Sequence, residues 1–174
     1  MEEARRQVSA AFYKGFGTSA LDSKGRFVMP AGFRTELRKS CEVQTRMYIR
    51  VETDQPYLSV FGDAELEEFR RDSIELARIA RERGEPFDRV AYDARKFGGV
   101  EDAKLDDGGR FAIDRDMRDF VGITDGIVVV GAVSLIQLWD PVRYLEVEKP
   151  GGLFEQRARK LIAEMDEKRK ARAQ

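Results

Sequence analysis

A repeat within the chain restricts its fold more than any other feature of its 174 residues. The segment LDSKGRFVMPAGFR, residues 21–34, aligns without gaps with LDDGGRFAIDRDMR, residues 105–118, and six of the 14 positions are identical. Each copy is followed by residues typical of β-strands, then by an aromatic residue and an aspartate suited to cap a helix. The sequence therefore predicts two related halves, residues 16–63 and residues 97–147.

Apolar runs that alternate with polar residues or follow turn residues predict the strands. These runs are residues 27–29, 43–51, 58–61, 111–113, 127–130 and 135–139, and the last two are expected to form a hairpin. Alternation in the second run places Val43, Met47 and Ile49 on one buried face. Pro30 is expected to open a helix that ends near Arg38, because proline is tolerated in the first helical turn.

The connector between the halves, residues 64–96, is predicted to be helical. Asp63 is a suitable N-cap and Gly84 a suitable stop for a first helix, and residues 86–96 predict a second one. The first helix carries an apolar stripe that is interrupted by Ser73. The stripe consists of Leu66, Phe69, Leu76 and Ile79.

The C-terminal tail, residues 148–174, is predicted to form an amphipathic helix with a basic end. Its apolar residues recur at spacings of four, three and four, which is typical of one helix face. They are Phe154, Ala158, Leu161 and Met165. This stripe is expected to dock on the chain's own fold or on a neighbouring subunit, and the helix is expected to fray in the basic run KRKARAQ, residues 168–174.

Composition excludes much of catalytic and metal chemistry. The chain has no histidine and one cysteine, Cys41, so histidine general bases, histidine-ligated zinc and an intrachain disulfide are excluded. We interpret the acidic run at residues 101–107 as a solvated loop, because Lys104 stands where a calcium loop needs a ligand. The motif GFGTSA, residues 15–20, lacks the preceding strand that a dinucleotide site requires. The sequence predicts a protein that is not an enzyme and has no metal, cofactor or small-molecule substrate.

Charge is unevenly distributed along the chain, although the total is only −1. Residues 1–62 carry 10 Lys and Arg against 7 acids, and residues 149–174 carry 8 against 4, whereas residues 97–147 carry 5 against 10. A local basic patch near either end is therefore a candidate for binding phosphates. The single cysteine and the lack of long apolar runs predict a cytoplasmic protein without a membrane partner.

Two Asp-x-x-x-Arg pairs, one in each copy of the repeat, are the candidate binding groups. One interpretation is an ion pair between Asp22 and Arg26 that only stiffens a turn. The other is a displayed guanidinium, which suits bidentate contacts with phosphates or guanine edges. The recurrence of the pair in both halves, and Lys24 beside the first copy, favour the second interpretation. The candidate residues for contact with phosphates or guanine edges are Arg26, Lys24 and Arg110, and the turn is supported by Asp22, Gly25, Asp106 and Gly109.

Three stretches of the chain are together typical of one protein family. They are FYKGFGTSALDSKGRFVMPAGFR at residues 12–34, LDDGGRFAIDRDMRDFVGI at residues 105–123, and LWDPVRYLE at residues 138–146. In these stretches, over about residues 12–147, the chain resembles the MraZ family of bacterial DNA-binding regulators of the division and cell-wall gene cluster.

The resemblance implies an α+β fold in which two tandem AbrB-like swapped-hairpin halves, of the SpoVT-AbrB type, form a β-rich pseudo-twofold barrel with connecting helices and a C-terminal helix. It implies a transcriptional regulator that binds repeated promoter boxes in double-stranded DNA, assembles into a closed, ring-shaped homo-oligomer and associates with the nucleoid. The family's DNA-contacting arginine falls on Arg26, its neighbouring lysine on Lys24, and the arginine of the second motif on Arg110.

The chain departs from the family pattern mainly in its second half. Gly108 stands where the family often has glutamine, and Asp114 stands where it often has proline. In the first half, Ser19 replaces a frequent histidine. Asp107 adds negative charge beside the second motif, so the second half is expected to contact DNA more weakly and mainly to build the ring.

A second class of function also fits these residues. An AbrB-like interaction module of the antitoxin type would use the loops of its oligomer to hold a protein partner, and the basic tail would fold on that partner. Binding of a DNA fragment from upstream of the chain's own operon, in competition with bulk DNA, distinguishes the two classes.

Overall fold

The computed structural model of the protein describes residues 8–172, so the last two residues of the predicted tail, 173 and 174, lie outside the described part. The described part contains eight strands and six helices. In chain order they are β1 (Phe16–Ala20), β2 (Phe27–Val28), α1 (Ala31–Ser40), β3 (Arg46–Val51), β4 (Tyr57–Phe61), α2 (Asp63–Arg83), α3 (Arg89–Phe97), β5 (Val100–Lys104), β6 (Arg110–Phe111), α4 (Arg115–Val121), β7 (Gly126–Gly131), β8 (Ile136–Trp139), α5 (Pro141–Val147) and α6 (Leu153–Arg172). The expected α+β class is confirmed.

Strands of the two halves interleave in one antiparallel sheet with the order β1-β7-β8-β4-β3-β5. Thus β1 of the first half pairs with β7 of the second, and β5 of the second half pairs with β3 of the first. The counterparts in the repeat are β1 and β5, β2 and β6, β3 and β7, and β4 and β8. Exchanging every strand with its counterpart only reverses the sheet order, so the halves are related by a pseudo-twofold operation.

The predicted closed barrel is not found among residues 8–172. The six-stranded sheet has two open edges, β1 and β5, and the short strands β2 and β6 pair only with each other. Helices α1 and α4 begin within a few residues of β2 and β6, so these strands are too short to extend the sheet. The domain boundaries 16–63, 64–96, 97–147 and 148–174, and the AbrB-like type of each half, stay predictions.

The main core lies between one face of the sheet and a layer made by the β2–β6 ribbon, α1 and α4. Phe27 and Phe111 of the ribbon are fully buried, with ring centroids 6.1 Å apart. Burial of one such side chain contributes about 1.5–3 kcal/mol to the free energy of unfolding. As expected, Met47 and Ile49 face this core. Val43 is 50% exposed, because its carbonyl accepts the Arg46 N–H (2.9 Å) in a turn that delays the start of β3.

Helix α2 runs from Asp63 to Arg83 as predicted and ends before Gly84, which adopts a left-handed conformation with φ 68°, but its N-cap is Gly62 and not Asp63. The apolar stripe of α2 is only partly buried. Ser73 is buried, and Leu76 of the stripe is 41% exposed. The Ser73 hydroxyl donates to the Arg70 carbonyl (3.2 Å), so this polar side chain is buried with its hydrogen bond satisfied.

Helix α6 docks on the outer face of β1 and β7 of its own chain, which settles one alternative left open by the sequence. Ala158, Leu161 and Met165 are buried there, and the ring of Phe154 stacks on Phe16 at 4.7 Å. The expected fraying at residue 168 is wrong, because the helix continues to Arg172. No helix within residues 8–172 is long and apolar enough to cross a membrane.

Candidate nucleic-acid interface

The first Asp-x-x-Gly-Arg segment forms a tight turn between β1 and β2. The Asp22 N–H donates to the Arg26 carbonyl (2.8 Å), and the Gly25 N–H donates to the Asp22 carbonyl (3.1 Å). Asp22 Oδ1 accepts the backbone N–H groups of Lys24 and Arg26, both at 2.9 Å. Gly25 has φ 74°, a conformation that glycine adopts without the cost paid by other residues.

The second segment forms the same turn between β5 and β6. The Asp106 N–H donates to the Arg110 carbonyl (3.0 Å), and the Gly109 N–H donates to the Asp106 carbonyl (2.9 Å). Asp106 Oδ1 accepts the Arg110 N–H at 2.8 Å, and Gly109 has φ 80°. The aspartate and glycine of the motif therefore have the same backbone role in both halves.

Pairing of β2 with β6 brings the two turns side by side on one face of the molecule. Val28, two residues after Arg26, lies directly opposite Arg110 in the ribbon. Arg26 Nη1 lies 3.8 Å from Asp106 Oδ2 of the other turn. Both candidate arginines thus belong to a single surface, although 84 positions of sequence separate the equivalent residues.

The two arginine side chains are nevertheless held differently. Arg26 donates from Nε (3.0 Å) and Nη2 (2.8 Å) to Asp22 Oδ2, and 32% of its side chain is exposed. Arg110 is exposed, and among residues 8–172 no carboxylate lies within 4.0 Å of its guanidinium. The structure therefore contains both arrangements considered from the sequence, an ion pair that stiffens the first turn and a displayed guanidinium on the second.

Both turn carboxylates keep their negative charge at neutral pH. The backbone N–H of Arg26, followed by its guanidinium, holds the pKa of Asp22 below its ordinary value. The backbone N–H of Arg110 does the same to the pKa of Asp106. Any anion that approaches this surface therefore meets carboxylates as well as cations.

Helix α1 adds two cations that the analysis of the sequence did not single out. Arg38 Nη2 donates to the carbonyls of Asp106 and Asp107, at 3.2 Å each. Arg34 lies so close to Gly109 that a methyl group there would be 2.8 Å from Arg34 Nη1. A basic pair spaced by four residues, next to the inward-facing Phe33 of the same helix, was the available signal.

The surface defined by both turns and α1 is called the paired-turn face below. Its cations are Lys24, Arg26, Arg34, Arg38 and Arg110, and its carboxylates are Asp22, Asp106 and Asp107. Lys24 is exposed and has no carboxylate within 4.0 Å in the part of the chain that the structure describes. The face carries five cations against three carboxylates, an excess of positive charge that suits a phosphate backbone.

Other sites offer less chemistry. No group of three or more cysteine, aspartate or glutamate side chains within residues 8–172 is arranged to hold a metal ion. Burial raises the pKa of the Cys41 thiol to about 11, so this thiol is protonated and unreactive at neutral pH. A cavity of about 630 Å³ between α2 and α3 is lined by Leu66, Phe97 and Asp93, away from the paired-turn face.

Comparison with known proteins finds relatives along most of the chain. The chain is 31% identical over 130 residues to the transcriptional regulator MraZ of Methylococcus capsulatus, a match that covers 75% of this chain and 80% of that relative. It is 28% identical over 149 residues to the transcriptional regulator MraZ of Pseudomonas aeruginosa, with 81% and 93% covered. For the protein of the same name from Pseudomonas putida, identity is 28% over 128 residues.

No family model matches the chain, so its membership follows from these individual relatives. The match to the Methylococcus protein extends over four fifths of that relative, and the Pseudomonas proteins bear the same name. The MraZ family that the two repeat motifs resemble is therefore confirmed, and this chain belongs to it.

Proposed function

We propose that the chain is a sequence-specific transcriptional regulator that binds double-stranded DNA through the paired-turn face. The observation that carries this proposal is the meeting of two Asp-x-x-Gly-Arg turns from opposite halves on one cationic surface. The names of its relatives, which are transcriptional regulators, support the same conclusion.

The side chains of this face divide into two roles in the proposal. Arg26 and Arg110 supply planar guanidinium groups suited to bidentate contacts with guanine or phosphate, and Lys24 supplies a point charge for a phosphate. Arg26 is already paired with Asp22, so it must exchange or share that ion pair when DNA binds. Asp22 then positions the turn, whereas Arg26 touches the nucleic acid.

Assembly completes the proposed mechanism. One chain of 19.9 kDa offers only a few phosphate contacts, so a single copy would bind weakly. A closed ring of more than two copies repeats the paired-turn face, and the high effective concentration of neighbouring copies makes binding to repeated promoter boxes avid. The two tandem AbrB-like halves of each copy are part of this proposal.

The proposed target is the promoter of the bacterial division and cell-wall gene cluster, and the proposed location is the cytoplasm, in association with the nucleoid. Both follow from the family resemblance of the repeat motifs. Regulation of the chain's own operon is the form of the proposal that is simplest to test.

The deciding experiment measures binding of the purified chain to a labelled duplex from upstream of its own operon, with excess bulk DNA. A duplex of equal length and shuffled sequence is the control. We expect preferential binding to the upstream duplex, and light scattering is expected to find an assembly larger than a dimer. Equal binding to both duplexes would contradict sequence-specific recognition and favour the protein-interaction function, whereas a monomer at micromolar concentration would contradict the ring.

A further inference from the structure

The C-terminal end of α6 lies beside the first turn of the paired-turn face. Met165 lies against Gly126, which is opposite Ala20 at the end of β1. The next residue after β1 is Leu21, whose N–H donates to the Asp125 carbonyl at 2.8 Å. The turn that holds Lys24 and Arg26 begins directly after Leu21, so α6 ends next to that turn.

Arg169 anchors this helix end. Its Nε donates to Asp125 Oδ2 (2.6 Å), its Nη2 donates to Thr124 Oγ1 (2.9 Å), and Asp166 lies 3.6 Å from its Nη1. One residue, Asp125, thus bonds the first half through its carbonyl and α6 through its carboxylate. This double attachment explains why the helix does not fray at residue 168.

Two other cations of the helix end remain open to solvent. Lys168 lines a shallow crevice together with Leu21 and Asp125, and Lys170 is exposed. Neither lysine has a carboxylate within 4.0 Å among residues 8–172. From Met165 to the last helical residue the axis extends about 10 Å, at about 1.5 Å per residue, so the basic end projects past the sheet.

We infer that the basic end of α6, residues 168–170, is a phosphate-binding surface that extends the DNA contact of the first turn onto the flanking backbone. This inference rests on the proposed function. It adds contacts that carry no sequence information, because lysine ammonium groups recognise phosphate charge and not base edges.

The surface is one-sided. On the second turn the corresponding hydrogen bond runs from the Leu105 N–H to the Thr45 carbonyl (2.8 Å), so a neutral threonine stands where Asp125 stands. Helix α6 packs on β1 and β7, and the elements within residues 8–172 include no counterpart of this packing in the first half. We therefore expect the protein to contact a longer stretch of DNA beyond the first turn than beyond the second.

The experiment compares two pairs of lysine or arginine substitutions on the same helix. The test variant is K168Q/K170Q, and the matched control is R157Q/K160Q, which removes two exposed cations beside Phe16 and Gly17 at the far end of β1. Glutamine keeps a similar helix propensity, so both variants preserve the helix. The measurement is the affinity of the full-length chain for the upstream and shuffled duplexes over a range of salt concentrations.

For K168Q/K170Q we expect weaker binding of both duplexes, an unchanged ratio between them, and a slope of log K against log salt that is smaller by about 1.8 for two lost contacts. The affinity lost between 50 and 200 mM salt then shrinks by about tenfold. The control R157Q/K160Q is expected to keep the wild-type slope, and K168R/K170R, which retains both charges, is expected to do the same.

A wild-type slope in K168Q/K170Q, or an equal loss in the control, would overturn the inference while leaving the proposed function intact. A lower Tm without a change in slope would mean that the lysines only complement the partial negative charge at the helix C-terminus, and would also overturn it. A wild-type chain that binds neither duplex would overturn the proposed function and the inference together.

Discussion

The two turns of the paired-turn face share one backbone and differ in what surrounds it. In the first turn, both oxygens of Asp22 are used, one for backbone N–H groups and one for the guanidinium of Arg26. In the second turn, Asp106 Oδ2 faces Arg26 of the other half, and Arg110 is left exposed. Backbone hydrogen bonds thus preserve the geometry of a duplicated turn, whereas neighbouring elements decide how its arginine is displayed.

Helix length is a second difference between the halves. Arg38 near the end of α1 reaches the carbonyls of Asp106 and Asp107 and braces the second turn. In the second half, α4 ends at Val121 and Gly122 stands at the position equivalent to Arg38. The first turn therefore lacks the contact that Arg38 makes with the second.

The largest difference between the turns is expected in the stability lost when their glycines are substituted by alanine. Substitution by alanine at either position costs about 1–2 kcal/mol in the free energy of unfolding, because both have a positive φ. A methyl group at Gly25 meets no atom within 4 Å, whereas at Gly109 it lies 2.9 Å from Arg34 Cδ. We expect G109A to cost about 1 kcal/mol more than G25A, as overpacking does. Urea denaturation measures both, and equal losses would contradict the close approach of Arg34 to Gly109.

The next largest effect is expected on DNA affinity when each arginine is substituted by alanine. R26A is expected to weaken binding to the upstream duplex by about 1–3 kcal/mol and to relax sequence preference, if Arg26 contacts guanine. R110A is expected to weaken binding less, because Asp106 and Asp107 oppose the approach of DNA to that turn. Binding titrations on folded, assembled protein test this order.

The outcome has a clear alternative. If Arg26 only stiffens its turn, R26A lowers the Tm and leaves the affinity of the folded protein unchanged across salt. If R110A proves the more damaging change, the exposed arginine is the principal contact, and the predicted ranking of the two halves is wrong.

Substitution of Lys24 tests which contacts of the first turn are made with phosphates and which with bases. K24A is expected to reduce the slope of log K against log salt by about 0.9 and to weaken all duplexes evenly, since an ammonium group cannot form a bidentate contact. The matched control is K39A, which changes an exposed lysine that is paired with Glu36 on α1. A change of sequence preference in K24A would contradict this role.

The smallest expected effect is on acid stability. The pKa values of Asp22 and Asp106 are lowered in the folded chain, so both carboxylates stabilise it above their unfolded pKa of about 3.9. This stability is lost as the pH falls from there through the lower folded values. We expect D22N and D106N to lower the Tm at pH 7 and to weaken its dependence on pH below about 4. A Tm profile identical to that of the wild type would contradict the stabilising role of these two carboxylates.

Much of the local structure could be predicted from sequence, because it depends on short-range patterns. Alternation identified Met47 and Ile49 as core residues, and the spacing of Ala158, Leu161 and Met165 identified the buried face of α6. The turns followed from aspartate and glycine at fixed positions.

Features that depend on distant partners could not be predicted in the same way. No strand is predicted from the sequence at residues 16–20, because β1 depends on its pairing with β7 of the other half. The order of the α6 end depends on Asp125, far from it in the chain, and the brace on the second turn depends on Arg38. In each case, a partner from another element decides the local conformation.

The strand exchange between the halves has a consequence for biosynthesis. Phe16 pairs with Val130, so β1 has no partner until more than one hundred later residues are made, roughly 5–20 s at common rates of synthesis. The hairpin of β3 and β4 is made before β8, so one edge of β4 stays unpaired until β8 is synthesised. Such exposed strand edges can pair with the edges of other nascent chains. Chains that are translated side by side from one mRNA are therefore at risk of exchanging β1 with each other before either is complete.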